Sequence, residues 1–143
     1  DPDLYARSFR ETWYLTGDVA EMDGAGWGSF VGRRGDVFKS AGHLISPAEV
    51  EDAVLQHPAV ADAGVWGRHD PVAGTVVEVH VVLAPGFAAA DELARDILGF
   101  ARGRLGPALA PRTLHFRDLL PRTPSGKIVR KDLGKPYPEQ AIP

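Results

Sequence analysis

The chain has no cysteine, a single methionine, and no apolar run near the roughly 20 residues that a membrane-spanning helix needs. Without cysteine no disulfide can hold the fold, which fits a reducing compartment, and a cytoplasmic location is expected. The five histidines, His43, His57, His69, His80 and His115, show no metal-ligand spacing to one another, so no metal centre is expected here. Internal repeats are absent. Acidic residues run out toward the end: between positions 102 and 131 only Asp118 faces Arg102, Arg104, Arg112, Arg117, Arg122, Lys127, Arg130 and Lys131. That stretch should attract anions. Phe116 is its one aromatic residue, so it lacks the interleaved stacking residues of nucleic-acid binders, and phosphates of small molecules are the more economical partners.

What is present is a chain of 143 residues, 44% apolar, with a net charge of −3. That suits one domain with a modest core, or a domain carrying a piece of another. The chain starts Asp1-Pro2, with neither a methionine nor a charged-then-apolar leader, and is read as cut from something longer. A short helix is expected near residues 4–11 and an extended piece at 14–20. Residues 27–31 and 36–39 are expected to pair as a hairpin around Gly32-Arg33-Arg34-Gly35. Ser46-Pro47-Ala48-Glu49 is a capping box with proline at the first helical position, predicting a helix that Pro58 stops, with Val50, Ala53, Val54 and His57 on one face.

Val60 to Gly67 reads as a strand, and Thr75 to Leu83 as a stronger one whose odd-numbered residues are core. Asp91 to Leu105 is amphipathic through Leu93, Ile97, Phe100 and Ala101; Arg112 to Phe116 suits a short strand, and residues 130–133 a helical turn. The expected fold is α+β: a small domain with a central antiparallel sheet of about three strands flanked by helices, preceded by a β-hairpin. Trp13, Trp27 and Trp66 are expected to pack rather than to stack on a ligand.

The most informative segment is Leu120-Pro121-Arg122-Thr123-Pro124-Ser125-Gly126-Lys127-Ile128-Val129-Arg130. Pro121 and Pro124 fix φ, Gly126 opens backbone conformations closed to other residues, and Thr123 and Ser125 can bond to nearby main chain. The loop is therefore shaped, and Lys127 is presented on it as a point charge with three donors, suited to a phosphate or carboxylate oxygen. A lone Ser-Gly-Lys would be read in preference as a solvated turn. Two further blocks precede it in order: Trp13-Tyr14-Leu15-Thr16-Gly17-Asp18, and Gly32-Arg33-Arg34-Gly35-Asp36-Val37-Phe38-Lys39-Ser40-Ala41-Gly42-His43-Leu44-Ile45-Ser46-Pro47-Ala48-Glu49-Val50-Glu51.

Together the three blocks resemble the hinge and C-terminal domain of the adenylate-forming superfamily, which includes acyl-CoA synthetases, firefly luciferases and peptide-synthetase adenylation domains. His57-Pro58-Ala59-Val60, Asp70-Pro71-Val72-Ala73-Gly74 and Leu105-Gly106-Pro107 extend the resemblance over nearly the whole chain. It implies residues 1–35 as the end of an N-terminal adenylation domain with its hinge, 36–133 as the mobile C-terminal domain, and 134–143 as a tail. The closest branch is that of acetyl-, acetoacetyl- and medium-chain acyl-CoA synthetases. Its implied reaction joins a small carboxylic acid to CoA with ATP, which is split to AMP and pyrophosphate, any magnesium being held mainly outside this segment. The missing N-terminal domain is then the principal partner, with neither nucleic acid nor membrane involved, and the segment alone is expected to be inactive.

Residue by residue, the resemblance implies Lys127 as the adenylation lysine and Asp18 as the carboxylate for the ribose hydroxyls. Arg33 is implied as a nucleotide contact, and Gly35 with Asp36 as the hinge. Ser40, Ala41 and Gly42 would line the CoA tunnel, and Arg102 would meet the CoA nucleotide phosphate. Two positions depart from the pattern: Gly35 stands where an aspartate is usual, and Leu44 where arginine is common. The lysine matching Lys127 is also a target of reversible acylation in the family, which makes a lysine acetyltransferase and a deacetylase possible partners. One alternative is accordingly a protein-interaction module serving as an acetyltransferase substrate. Another is the corresponding domain of a nonribosomal-peptide adenylation unit, served by a carrier protein.

Overall fold

The computed structural model describes residues 2–72 and 74–136. Its contacts divide the chain into two units, one ending at Val37 and one starting at Phe38. The first holds helix α1 (Pro2–Ser8), the two-residue strands β1 (Phe9–Arg10) and β2 (Trp13–Tyr14), and a hairpin of β3 (Asp18–Met22) and β4 (Gly28–Arg33). The hairpin differs from the one expected, since Gly28–Arg33 pairs backward with Asp18–Met22 instead of forward with residues 36–39. Asp23 decides this. Its Oδ1 accepts the N–H groups of Ala25 and Trp27, both at 2.9 Å, and Gly26 takes φ +86°, so the turn closes one strand earlier than the glycine pattern suggested. Among the described residues of this unit only Gly32 is buried, and Trp13 and Trp27 are exposed, contrary to the expectation that they pack.

The second unit opens with a tight hairpin of β5 (Phe38–Ser40) and β6 (His43–Ile45), turning at Ala41 and Gly42, which both have positive φ (48° and 84°). Helix α2 (Pro47–Leu55) follows, its first turn capped by Ser46 Oγ, which accepts the Glu49 N–H at 3.5 Å. Strands β7 (Val60–Asp70) and β8 (Gly74–Leu83) form a long antiparallel ladder, then come helix α3 (Asp91–Leu105), strand β9 (Thr113–Phe116) and the one-turn helix α4 (Arg130–Leu133). The sheet order is β7-β8-β9. The α+β class and the three-strand sheet stand as expected, but β9 runs parallel to β8. The crossover through α3 carries the chain back toward the end at which β8 began, so β9 starts beside Glu78 and runs in the same direction as β8.

The core lies between the sheet and the helices α2 and α3. It gathers Val50 and Val54, Ala63 and Val65, Val77, Val79 and Val81, and Ile97 and Ala101, all buried. This is the odd-numbered face of β8, as its alternation predicts. The even face is buried as well, through Val76, Glu78 and His80, because the segment after β9 folds back over it. Gly64, on that same face of β7 opposite His80, makes room: a Cβ there would lie 3.1 Å from Leu133 and 3.3 Å from Leu120. Gly134 fits closely under the ring of Trp66, the one tryptophan that packs as expected. Of the tail expected at 134–143, residues 137–143 lie outside the described residues. Among the described residues no helix is long and apolar enough to cross a membrane.

Candidate functional site

The Lys127 loop is built as its composition predicts. Gly126 takes φ +85°, its N–H donates to Thr123 O at 2.8 Å, and the Thr123 N–H donates to Lys127 O at 2.8 Å. Thr123 Oγ1 accepts the Lys127 N–H at 3.1 Å and lies 2.9 Å from Ser125 Oγ. Arg122 and Ile128 pair across the base of the loop, and the Val129 N–H donates to Pro121 O at 2.8 Å. The backbone on both sides of Lys127 is thus bonded, while its side chain stands exposed with no ion pair among the described residues.

Two charged contacts that sequence reasoning missed tie this loop to the edge strand β7. Arg122 donates through Nη2 to Asp62 Oδ2 at 2.6 Å and through Nη1 to Gly126 O at 2.6 Å. Arg130 binds Glu51 through both Nη atoms, Nη1 to Oε1 and Nη2 to Oε2 at 3.1 Å, and Glu51 Oε1 also accepts the Val65 N–H at 2.8 Å. Glu51 is buried on α2 and Arg130 begins α4, so this pair joins two helices around the sheet edge. The only sequence signal for it was a glutamate two residues past the capping box, on the flank of the apolar face, which helical spacing marks as half-buried.

In the first unit the structure brings Asp18 and Arg33 together, with Arg33 Nε 3.0 Å from Asp18 Oδ1, and Arg33 Nη1 donating to Thr16 O at 3.4 Å. Gly17 turns the chain with φ +79°, and its carbonyl accepts the Arg34 N–H at 2.7 Å, which holds the two motifs side by side. Both charged side chains are open to solvent, and such a pair is worth about 0–1 kcal/mol, so either member can exchange its partner for a ligand oxygen at little cost. Gly35 is exposed, with open space where a Cβ would stand; the Asp36 and Val37 N–H groups donate to Arg33 O at 2.9 and 3.0 Å.

Ser40, Ala41 and Gly42 lie at the tip of the β5–β6 hairpin. The Ser40 hydroxyl donates to Thr75 O at 2.6 Å, which fastens the hairpin to the end of the β7–β8 ladder where Thr75 pairs with His69. The Lys127 loop is anchored at Asp62, seven residues back along β7, a separation of about 23 Å at roughly 3.3 Å per residue. The two loops are therefore held at opposite ends of one ladder. Arg102 stands exposed on α3, and none of its hydrogen bonds among the described residues reaches either loop. No cluster of three or more metal-ligating side chains occurs among the described residues.

A strongly shifted group, His80, lies opposite Gly64, under the Lys127 segment. Burial, with the Arg117 guanidinium and His115 beside it, pulls His80 down to about 3. Its Nδ1 accepts the Arg117 Nε–H at 3.1 Å, and its ring stacks on His115 with centroids 4.9 Å apart. Arg68 is raised by its hydrogen bond to Glu78.

Residues 49–127 match the AMP-binding enzyme C-terminal domain family. The chain is 41% identical over 134 residues to an acetyl-coenzyme A synthetase of Bacillus subtilis, covering 93% of this chain and 23% of that protein. It is 45% identical over 128 residues to a 4-hydroxybutyrate–CoA ligase of Metallosphaera sedula, covering 90% and 23%. Among solved structures, o-succinylbenzoate CoA synthetase of Bacillus subtilis, in complex with its acyl-adenylate intermediate, superposes with a TM-score of 0.80 at 35% identity, covering 92% of this chain and 26% of that one. The chain thus spans about a quarter of the length of these relatives.

Proposed function

Because this chain belongs to the AMP-binding enzyme C-terminal domain family, we propose that it is the mobile C-terminal domain, with its hinge, of an ATP-dependent acyl-CoA synthetase. In that reading residues 1–35 end the N-terminal adenylation domain, 36–133 form the mobile domain and 134–143 a tail. The observation that carries it is the placement of two differently built loops at opposite ends of the β7–β8 ladder. A lysine side chain cannot bridge about 23 Å, so the two ends serve one reaction centre only in turn, by reorientation of the whole domain.

With one end presented, Lys127 lies against the reacting carboxylate and the α-phosphate. As the carboxylate attacks the α-phosphorus and pyrophosphate leaves, negative charge gathers on the oxygens, and an ammonium aimed there stabilises the transition state more than the ground state. Asp18 accepts from the ribose hydroxyls and Arg33 turns its fork to the nucleotide, each giving up a weak surface pair. Turning about Gly35 and Asp36 then brings Ser40, Ala41 and Gly42 to the site, where bare backbone at Gly42 lines a narrow path for the thiol of CoA, and Arg102 meets the CoA nucleotide phosphate. The thiol displaces AMP from the acyl-adenylate. The substrate is a small carboxylic acid, chosen by the N-terminal domain, and the enzyme is placed in the cytoplasm. An exposed amine on an open loop also suits an acetyltransferase, and acetylation at Lys127 would remove the charge that the first step needs.

The test is made in the parent protein, following carboxylate-dependent pyrophosphate release beside thioester formation from pre-made acyl-adenylate. Lys127→Ala is expected to slow the first by roughly 10²- to 10³-fold and to leave the second near wild type. Equal rates for mutant and wild type in the first assay would make Lys127 a surface lysine and defeat the proposal.

A further inference from the structure

Resting on the reading of Lys127 above, we propose that the lysine is aimed by a two-armed clamp on the edge of β7, Arg122–Asp62 on one arm and Arg130–Glu51 on the other. Asp62, Glu51, Arg122 and Arg130 are thus positioning residues for the first half-reaction. A lysine ends in four rotatable bonds, and because this side chain stands exposed, the fold narrows where its ammonium goes chiefly through the loop backbone that carries it. The loop's internal bonds shape it but do not orient it. Orientation comes from what fixes its two ends to the domain.

Each end carries one arginine. Arg122, five residues before Lys127, forks between Asp62 on β7 and the carbonyl of Gly126, so a single guanidinium ties the strand to the residue next to the lysine. Arg130, three residues after it, grips both oxygens of a buried carboxylate, and that carboxylate is itself held by an edge amide of β7, the Val65 N–H. Bidentate guanidinium–carboxylate pairs fix direction as well as distance. The apolar contacts between the arms, Leu120, Ile128 and Leu133 over Gly64, are non-directional; the two charged pairs add direction at the ends of the loop, and Arg117 Nη2 donates to Leu133 O at 3.0 Å farther on.

The two arms differ in burial, and that makes the inference testable. Asp62 and Arg122 are partly exposed, so Asp62→Asn and Arg122→Gln should leave the fold intact, whereas Glu51→Gln touches a buried network. In the parent protein, Asp62→Asn and Arg122→Gln are expected to lower kcat for carboxylate-dependent ATP–pyrophosphate exchange by roughly 10- to 100-fold, the effect of displacing a catalytic group by about 1 Å. KM for ATP and for the carboxylate should hold, as should conversion of pre-made acyl-adenylate to thioester, and Asp62→Glu should recover most of the loss. Amide exchange in residues 121–129 should quicken in Asp62→Asn, while that of β8 does not change.

Unchanged exchange kinetics in both partly exposed variants overturn the clamp, and so does an equal fall in both half-reactions, which would make the pairs structural only. Glu51→Gln, if it folds, should follow the same split. Lys127→Ala run alongside separates the two levels. If it abolishes exchange while the arm variants do not, the clamp alone fails; if it leaves exchange intact, the role given to Lys127 fails first.

Discussion

A buried histidine with one ring nitrogen already committed illustrates how much a single residue can reveal. His80 Nδ1 accepts from Arg117, so the ring proton sits on Nε2, which is buried with no partner among the described residues. A second proton would have to enter beside a guanidinium and out of water, which is why the group titrates near 3 instead of 6.5. The unfolded chain binds that proton below about pH 6.5 and the folded chain does not until about 3. Stability from this residue is therefore fully present above 6.5 and falls as pH drops toward 3, at up to about 1.4 kcal/mol per pH unit. Thermal unfolding midpoints measured from pH 7 to pH 4 should decline accordingly. His80→Asn, which keeps an acceptor for Arg117 and cannot take a proton, should flatten that decline; an unaltered slope would place the effect elsewhere.

Elements with a strong local signal were legible from the sequence. Pro47 behind Ser46 marks the start of α2, the valine alternation marks β8, and the i, i+3, i+4 spacing of Ile97, Phe100 and Ala101 marks α3. Pairing was not legible, because partners are chosen by geometry far along the chain. The β5–β6 hairpin shows the difference. It docks through Phe38, whose ring lies where a Cβ on Gly67 would be, 2.8 Å from Cδ2. Gly67→Ala should therefore push β5 outward and destabilise the chain by about 1–3 kcal/mol in urea unfolding, as overpacking does. Phe38→Leu in the same chain should return most of that loss. A neutral Gly67→Ala would mean that the hairpin, with Ser40, Ala41 and Gly42 at its tip, is not seated on that strand.

On the scale of the whole molecule, the two units have different means of staying folded. The unit from Phe38 onward has a continuous apolar core, while the described part of the unit up to Val37 buries only Gly32 and exposes Tyr5, Trp13, Tyr14, Met22, Trp27 and Phe30. Hydrogen bonds without burial open locally. In this chain the amides of β3 and β4 should exchange within minutes at neutral pH, near their unprotected rates, and those of β7 and β8 only through global unfolding. Comparable protection in both would show that the hairpin has cover that its own residues do not supply. In the functional reading, those exposed aromatics are the surface that the remainder of the N-terminal domain, of which residues 1–35 are the end, would cover.

By itself the sequence determined the periodic elements, the shaped loop that presents Lys127, and the ordered motifs by which the family is recognised. Those features are local: proline, glycine and capping residues act on their neighbours, and apolar spacing is written along one strand or helix. Only the tertiary structure decided that β9 lies parallel to β8, that Asp18 meets Arg33, and that Glu51 reaches around a sheet edge to Arg130 across 79 positions of sequence. It also decided that the Lys127 loop and the Ser40–Gly42 turn are fastened to opposite ends of one ladder. The physical reason is that a charged pair or a strand register depends on where the core puts distant backbone, and no run of neighbouring residues carries that distance.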